Sequence, residues 1–220
     1  MESHLGRRRG NSAERLKASV LFPHFYGRDV LTMQEEVAGD SGDAGEWVVL
    51  VDAEDREIGV AGKWAAHANG GRLHRAVSVF VRDAAGRLLL QRRAREKYHF
   101  GGLWTNTCCG HPRPGESSRA AAERRLREEM GVRLVLREIF TFTYAAADPV
   151  SGLTEREFDH VFLGELPFGH APTPDAREVE GWRWVTLDAL RTEIAAETSG
   201  FTPWFPLALE RFLGESYHMG

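Results

Sequence analysis

The chain has 220 residues and a formal net charge of −4, and 27% of its side chains are charged. This length is enough for one sizeable hydrophobic core, and the mildly negative charge gives no general reason to expect nucleic acid or an anionic membrane as a partner. No apolar run approaches the ~20 residues that a membrane-spanning helix needs, so we expect a soluble protein.

Residues 1–44 differ in composition from the rest of the chain. They begin with an Arg-rich stretch, contain scattered Ser and Gly, and show no sustained hydrophobic period apart from VLFPHFY. The apolar core of a secretory signal peptide is missing from this stretch. We expect residues 1–44 to be a flexible extension and residues 45–220 to form one domain.

From residue 46 onward, the hydrophobic pattern predicts strands and helices in an irregular order. Runs rich in β-branched, Leu and aromatic residues indicate strands, and Gly and Asp mark the turns between them. Because the elements do not alternate as regular βαβ units, we expect an α+β fold or an α/β/α sandwich. The predicted strands are WVVLVD, the return strand of EDREIGV, AVSVFVRD, RLLLQRR, EIFTFTYAA, FDHVFLGEL and GWRWVTL, and the predicted helices span residues 117–130, 187–196 and 203–213.

The helix at residues 117–130 has clear start and stop signals. Ser117 or Ser118 is a suitable N-cap, alanines that favour helix follow, and Gly131 is a natural terminator. The charged residues of this helix are also spaced to form pairs.

Side chains four residues apart share one face of a helix. Arg125 should therefore lie beside Glu129, and Arg124 beside Glu128 on the adjacent stripe. Taken alone, this pattern is explained equally well by a charged, solvated helix surface without any site.

The segment from Gly110 to Val132 has the spacing G-x5-E-x7-R-x-L-x-E-E-x-G-V. This spacing resembles the Nudix box, a strand-loop-helix unit that holds a divalent metal ion against a diphosphate. The hydrolase box carries Glu directly after its Arg, whereas this chain has Arg125 there. A fixed cation at that position is suited to binding a phosphate oxygen and cannot load metal.

Six further motifs are distributed along the domain, across roughly residues 46–206. They are KWAAH, RLHRAVSVF, LLLQRRAREKYHF, GLWTNTCCGHP, TEREFDH and FTPWF. Together with the altered box, they resemble type I isopentenyl diphosphate isomerase. The resemblance implies a Nudix-like α/β/α sandwich with a mixed β-sheet. It also implies a 1,3-allylic proton shift that converts isopentenyl diphosphate to dimethylallyl diphosphate in isoprenoid biosynthesis.

The resemblance implies two metal sites. In the first, imidazole and carboxylate donors suit Mn²⁺, Zn²⁺ or Mg²⁺, and five protein donors leave room for a further oxygen ligand. In the second, Glu129 is implied to hold Mg²⁺ against the substrate diphosphate, since Mg²⁺ usually combines one or two carboxylates with phosphate oxygens. The five implied ligands of the first site are His67, His74, His111, Glu155 and Glu157.

The resemblance also implies the residues that act on the substrate. Cys109 and Glu157 match the catalytic pair, with Tyr144 assisting proton transfer. Trp204 matches the aromatic side chain that faces positive charge on the substrate, where a desolvated indole contributes ~2 kcal/mol or more. The basic residues that match the diphosphate clamp are Lys63, Arg93, Lys97 and Arg125.

Cys108 and Cys109 are the only cysteines of the chain. A disulfide framework is therefore excluded, and a reducing, cytoplasmic compartment is favoured. Adjacent side chains of an extended segment point to opposite faces, so only one thiol can enter the pocket. We expect this to be Cys109, and we expect nearby metal and basic side chains to lower its pKa from the usual ~8.5.

Two other functions compete with the isomerase. A Nudix hydrolase of a diphosphate-containing substrate is disfavoured by Arg125, which removes a metal-loading carboxylate from the box. An inactive binding module of the same fold is disfavoured by the intact set of implied catalytic residues. The expected partner is a small prenyl diphosphate, with no nucleic acid or membrane, and the choice between monomer and homodimer stays open. His99, His160 and His170 are expected to be ordinary surface or core residues.

Overall fold

A computed structural model of the protein describes residues 46–167 and 169–216. The extension predicted at residues 1–44 lies outside these ranges. All elements reported below belong to the described ranges.

Nine strands in this part of the chain join into one mixed β-sheet. They are β1 (Trp47–Val51), β2 (Glu57–Gly62), β3 (His74–Asp83), β4 (Leu88–Arg93), β5 (Trp104–Thr105), β6 (Cys108–Gly110), β7 (Arg137–Ala147), β8 (Thr154–Leu166) and β9 (Val179–Val185). The seven strands predicted from the sequence are confirmed. The sequence did not predict β5 and β6, because strands of two and three residues carry too little hydrophobic pattern to be recognised.

Strand β3 organises the sheet, because strands pair with both of its edges. Along one edge it runs parallel to β8, beginning with His74 opposite Glu157. Along the other edge it pairs antiparallel with β1, β6 and β4 in turn, and Cys109 of β6 lies opposite Ser78. At the margins, β2 pairs with β1, β7 with β8, and β5 and β9 with β4, all antiparallel. Residues of β6 and β8 are thus held on either side of one strand.

Four α-helices occur in the described ranges: α1 (Lys63–His67), α2 (Ser118–Met130), α3 (Leu187–Ala196) and α4 (Trp204–Ser216). Helix α2 begins and ends as predicted. The Ser117 side chain accepts a hydrogen bond from the Ala120 backbone N–H, and Gly131 takes the left-handed conformation at the C-terminal end. None of the helices described here is long and apolar enough to cross a membrane.

The helices cover both faces of the sheet. On one face, Leu126 of α2 is buried in the same cluster as Val79 of β3. On the other face, Phe205 of α4 stacks on Phe80 of β3, with 6.2 Å between ring centroids. Val79 and Phe80 point to opposite faces because they are neighbours in a strand. Full burial of a Val, Leu or Phe side chain contributes about 1.5–3 kcal/mol to stability. The predicted α/β/α sandwich with a mixed sheet is confirmed.

Candidate active site and metal centre

A cleft of about 310 Å³ is lined by residues of β6, β7 and β8 and of α1, α2 and α4. Every residue predicted from the sequence to act in catalysis or in substrate binding contributes to its wall. These residues are far apart in the chain, so the fold alone brings them together. They are Cys109, Glu157, Tyr144, Lys63, Arg93, Lys97, Arg125 and Trp204.

Five possible metal donors form a group beside this cleft. His67 ends α1, His74 begins β3, and His111 follows β6. Glu155 and Glu157 lie on one face of β8, because side chains two residues apart in a strand point the same way. One ligand atom from each of the five lies within 4.8 Å of the others, so the group can hold a metal ion.

The hydrogen bonds of two imidazoles favour a cation at the centre of this group. His67 Nδ1 lies 2.6 Å from the Lys63 carbonyl oxygen. His74 Nδ1 lies 2.7 Å from the Arg72 carbonyl oxygen. A carbonyl only accepts, so both Nδ1 atoms carry a proton, and in the neutral form of each imidazole Nε2 offers its lone pair to a metal ion. His67 Nε2 lies 2.7 Å from Glu155 Oε2, and two lone pairs at this distance repel unless a proton or a metal ion lies between them. The donor set therefore fits a divalent cation.

The pKa values of His111 and Glu155 are shifted toward the forms that bind metal ions, whereas burial of His67 is outweighed by the hydrogen bond and charge of Glu155, which raise the pKa of His67. His111 Nε2 lies 3.2 Å from His74 Nε2 and 2.9 Å from Glu157 Oε1. Burial lowers the pKa of His111 to about 4, although Glu157 opposes this shift. Burial by itself would raise the pKa of Glu155, but hydrogen bonds from neighbouring histidines hold it well below its usual value. Neutral imidazole and ionised carboxylate are the forms that bind metal ions.

Glu129 lies on the side of the cleft formed by α2, and it is not a member of the five-donor group. Its Oε2 accepts a hydrogen bond from Gln91 Nε2 at 2.7 Å, and its Oε1 lies 2.6 Å from Arg125 Nη2. The side chain is buried with one edge on the cleft. Glu129 lies outside the group of five clustered donors, and its role as the second metal position stays a prediction.

Ion pairs with carboxylates and close packing against a glycine keep Arg125 at the cleft. It forms ion pairs with Glu128 at 2.9 Å, Glu129 at 2.6 Å and Glu178 at 3.4 Å. The stem of the side chain crosses Gly110, where a Cβ would come within 2.6 Å of Arg125 Cγ. The predicted pairing of side chains four apart is confirmed here, and also for Arg124 and Glu128 at 3.1 Å.

The other basic residues of the predicted clamp also have partners in the described ranges. Lys63 Nζ lies 2.7 Å from Glu46 Oε2, and Lys97 forms an ion pair with Glu178. Arg93 donates to the His99 backbone carbonyl at 3.3 Å, and its guanidinium lies 5.6 Å from the centroid of the Trp204 ring. An anionic ligand would replace the carboxylates that now pair with Lys63 and Lys97.

The two cysteines of β6 face in opposite directions, as predicted. Cys108 is fully buried in the core beneath α2, and Cys109 lines the cleft. The basic side chains do not lower the pKa of Cys109 as expected, because burial raises the pKa of this thiol to about 12, with a further contribution from the charge of Asp159. The thiol therefore retains its proton at neutral pH.

Tyr144 and Glu157 are directly paired residues of β7 and β8. The Tyr144 hydroxyl donates to Glu157 Oε2 at 2.5 Å, while Glu157 Oε1 faces His111. Burial and the negative charge of Glu157 raise the pKa of Tyr144 well above its usual value, so the phenol keeps its proton. One carboxylate thus connects a phenol in the cleft with the possible metal centre.

Several known proteins are similar to this chain in sequence. Residues 72–205 match the NUDIX domain family. The isopentenyl-diphosphate Delta-isomerase 2 of Aromatoleum aromaticum is 49% identical over 166 residues, which cover 76% of this chain and 86% of that protein. The isopentenyl-diphosphate Delta-isomerase of Halorhodospira halophila is 49% identical over 160 residues, which cover 73% of this chain and 91% of that protein.

This chain belongs to the isopentenyl-diphosphate Delta-isomerase family.

Solved structures agree with the fold of this isomerase-family chain. A crystal structure from Deinococcus radiodurans has a TM-score of 0.62 and 24% sequence identity, and the alignment covers 76% of this chain and 98% of the other. The MutT protein of Methanosarcina mazei has a TM-score of 0.54 and 21% identity, with 66% and 95% of the two chains covered. At these identities the likeness shows the Nudix fold and nothing about activity.

Some buried polar residues around the cleft have no role predicted from the sequence. His99 contacts the Glu155 carboxylate through Nε2, and its Nδ1 is buried without a hydrogen-bond partner in the described ranges. The other two unassigned histidines of the described ranges lie elsewhere. His160 pairs with Asp55 and Glu138, and His170 is exposed.

Asp159 and Asn106 also have no role predicted from the sequence. Asp159 is buried and accepts a hydrogen bond from Ser78 Oγ at 2.7 Å. The sequence contained a signal for Asp159. It follows Glu155 and Glu157 at intervals of two residues, so all three side chains point to the same face of the strand. Asn106 is fully buried next to Cys109, and no periodic pattern indicates its role.

Proposed function

We propose that the protein catalyses the metal-dependent isomerisation of isopentenyl diphosphate to dimethylallyl diphosphate. The observation that carries this proposal is a single cleft lined by Cys109, by Glu157 and by a set of basic side chains. A diphosphate bound by the basic side chains would lie in the same cleft as both proton-transfer groups. The names of the relatives support the same substrate.

The reaction needs one proton delivered and another removed. Protonation of an unactivated alkene leaves positive charge on a tertiary carbon, and loss of a proton from the neighbouring carbon completes the shift. We assign these transfers to Cys109 and Glu157, with Tyr144 hydrogen-bonded to Glu157. The Trp204 ring lines the same cleft and can stabilise the transient cation by ~2 kcal/mol or more.

Lys63, Arg93, Lys97 and Arg125 are the proposed diphosphate clamp. Their location on the cleft wall supports this role, and the carboxylates that now pair with Lys63, Lys97 and Arg125 would be replaced by phosphate oxygens. Charge-assisted hydrogen bonds to phosphate are about twice as strong as neutral ones. The clamp would hold the alkene beside Cys109 and Glu157.

Divalent metal ions fit two places in this proposal. His67, His74, His111, Glu155 and Glu157 would hold Mn²⁺, Zn²⁺ or Mg²⁺, and Glu129 would hold Mg²⁺ against the diphosphate. When bound, these ions would neutralise substrate charge and orient the Glu157 carboxylate. The protein itself supplies the groups that carry and accept protons.

A Nudix hydrolase of a diphosphate-containing substrate is the competing function. Arg125 stands in the box where that chemistry needs a carboxylate, and it already pairs with Glu128 and Glu129. With Arg125 in that position, the box has one metal-loading carboxylate fewer than a hydrolase box would provide. This observation supports the isomerase.

The two functions are separated by one experiment. Purified protein is incubated with isopentenyl diphosphate and Mg²⁺, and dimethylallyl diphosphate and free phosphate are measured together, with a chelator-treated sample and the Cys109→Ala variant as controls. We expect the allylic product without phosphate release, and we expect its loss in both controls. Stoichiometric phosphate release without the allylic product would support the hydrolase instead.

The remaining proposals concern the domain bounds, the cellular compartment and the partner of the enzyme. Residues 45–220 would form the isomerase domain, with residues 1–44 as an extension. Both cysteines are free thiols, which supports work in the reducing cytoplasm. The partner would be the small prenyl diphosphate itself.

A further inference from the structure

Asn106 lies between two residues of the proposed active site. Its side chain is fully buried in the segment that joins β5 to β6. Asn106 Oδ1 accepts a hydrogen bond from the Cys109 thiol at 3.2 Å and another from Trp204 Nε1 at 3.3 Å. One oxygen atom thus contacts the polar groups of both residues.

The orientation of the Asn106 amide is determined by its surroundings. Asn106 Nδ2 donates to the Cys108 carbonyl at 2.8 Å and to the Val79 carbonyl at 3.3 Å. If the amide were rotated by half a turn, its oxygen would face two carbonyl oxygens and its N–H groups would face the donor Trp204. Thr105 Oγ1 also donates to Asn106 Oδ1, at 2.9 Å. The oxygen is therefore held toward Cys109 and Trp204.

We propose that Asn106 is a positioning residue of the isomerase, one that holds the Cys109 thiol and the Trp204 indole at a constant separation. This inference rests on the proposed function. Cys109 would exchange a proton with the substrate, and Trp204 would face the positive charge that results. Both side chains must contact the same few carbon atoms of the substrate. A change in the distance between them therefore lowers the rate of the chemical step without weakening diphosphate binding.

A purely structural role for Asn106 predicts a different outcome. The neighbouring Thr107 provides the comparison, because it is equally buried and its side chain forms two hydrogen bonds, against five for Asn106. Thr107 Oγ1 donates to the Leu89 carbonyl at 2.7 Å and accepts from the Val81 backbone N–H at 2.9 Å. None of these partners lines the cleft. Thr107→Val therefore removes buried hydrogen bonds without touching Cys109 or Trp204.

The test compares Asn106→Leu with Thr107→Val in the full-length, Mg²⁺-loaded protein. We expect both to lower the melting temperature. Asn106→Leu should also lower kcat for isopentenyl diphosphate by about 10²-fold with little change in KM, because the clamp is intact. Thr107→Val should keep kcat near the wild-type value.

The inference is overturned if kcat falls equally in the two variants, or if Asn106→Leu raises KM and leaves kcat unchanged. If the leucine variant does not fold, Asn106→Ala replaces it, since the smaller side chain leaves space for a water molecule, and the same two outcomes decide. Activity of the wild-type protein separates this inference from the proposed function. An inactive wild type contradicts the function, whereas an active wild type with an active Asn106→Leu contradicts only the role of Asn106.

Discussion

At the scale of single residues, adjacent positions in the chain have opposite tasks. Cys108 packs beneath α2, while Cys109 faces the cleft next to Asn106. The difference comes from the alternation of side chains in β6, not from the chemistry of the thiols. It makes the two cysteines a matched pair for mutation.

Cys109→Ala should lower turnover by about 10²–10⁴-fold, because it removes a proton-transfer group. Fold and metal content should persist, since none of the five clustered donors is lost. Cys108→Ala is the control and should cost mainly stability, as expected for a small buried apolar group. Steady-state kinetics and metal analysis check both variants.

Labelling of the same pair gives an independent check. An epoxide analogue of the substrate should modify Cys109 and spare Cys108, and peptide mass spectrometry locates the adduct. An adduct on Cys108, or near-normal turnover of Cys109→Ala, would show that the catalytic thiol is wrongly assigned.

Arg125→Glu restores the hydrolase box and should weaken substrate binding. The change removes a charged hydrogen bond worth about 1.5–3 kcal/mol and adds repulsion against the diphosphate. It also sets a fourth carboxylate beside Glu128, Glu129 and Glu178. Isothermal titration with substrate measures the loss.

Arg127→Glu is the matched control for this prediction. It makes the same change of charge in α2 at an exposed position, so affinity should be nearly unchanged. Equal affinities for wild type and Arg125→Glu would mean that Arg125 does not bind the diphosphate.

At the scale of secondary-structure elements, the site depends on how closely β6 approaches α2. Gly110 permits this approach, because the Arg125 stem occupies the space where a Cβ would be. A strand and a helix so close together place Cys109 and Arg125 on one cleft.

Gly110→Ala should displace the Arg125 side chain and raise KM, because the new Cβ would lie 2.6 Å from Arg125 Cγ. Gly181→Ala in β9 is the control, since a Cβ added there would meet no atom within 4 Å and the φ of Gly181 is not positive. Kinetics and thermal unfolding of both variants test the idea. A KM for Gly110→Ala equal to that of the control would show that Arg125 adapts without loss of function.

At the scale of the whole molecule, one α/β/α domain contains every residue assigned to the proposed reaction. The match to the NUDIX domain family covers residues 72–205 of this domain. We therefore propose that the domain performs the reaction without a contribution from residues 1–44.

Removal of residues 1–32, so that the chain begins at Met33, should leave melting temperature and turnover nearly unchanged. The reason is that these residues lack a sustained apolar period and precede the first recognised motif. Thermal unfolding and steady-state kinetics of the truncated and full-length proteins provide the measurement. A large fall in either quantity, or loss of soluble expression, would show that the extension contributes to the domain.

Much of the fold follows from local sequence patterns. The cap at Ser117, the terminator Gly131 and the bounds of α3 were predictable, because capping and hydrophobic periodicity act over a few residues. The candidate ligands and proton-transfer groups were recognised from motifs of the isomerase family. The cleft and the five-donor group agree with those candidates.

By itself, the sequence determined the family, the order of the longer elements and the candidate residues. Only the tertiary structure decided that Lys97 and Arg125 share Glu178, that burial raises the pKa of Cys109, and that Asn106 connects Cys109 with Trp204. These properties depend on distances between residues remote in the chain and on exclusion of water from the site. Neither quantity is encoded in the spacing of residues along a single segment.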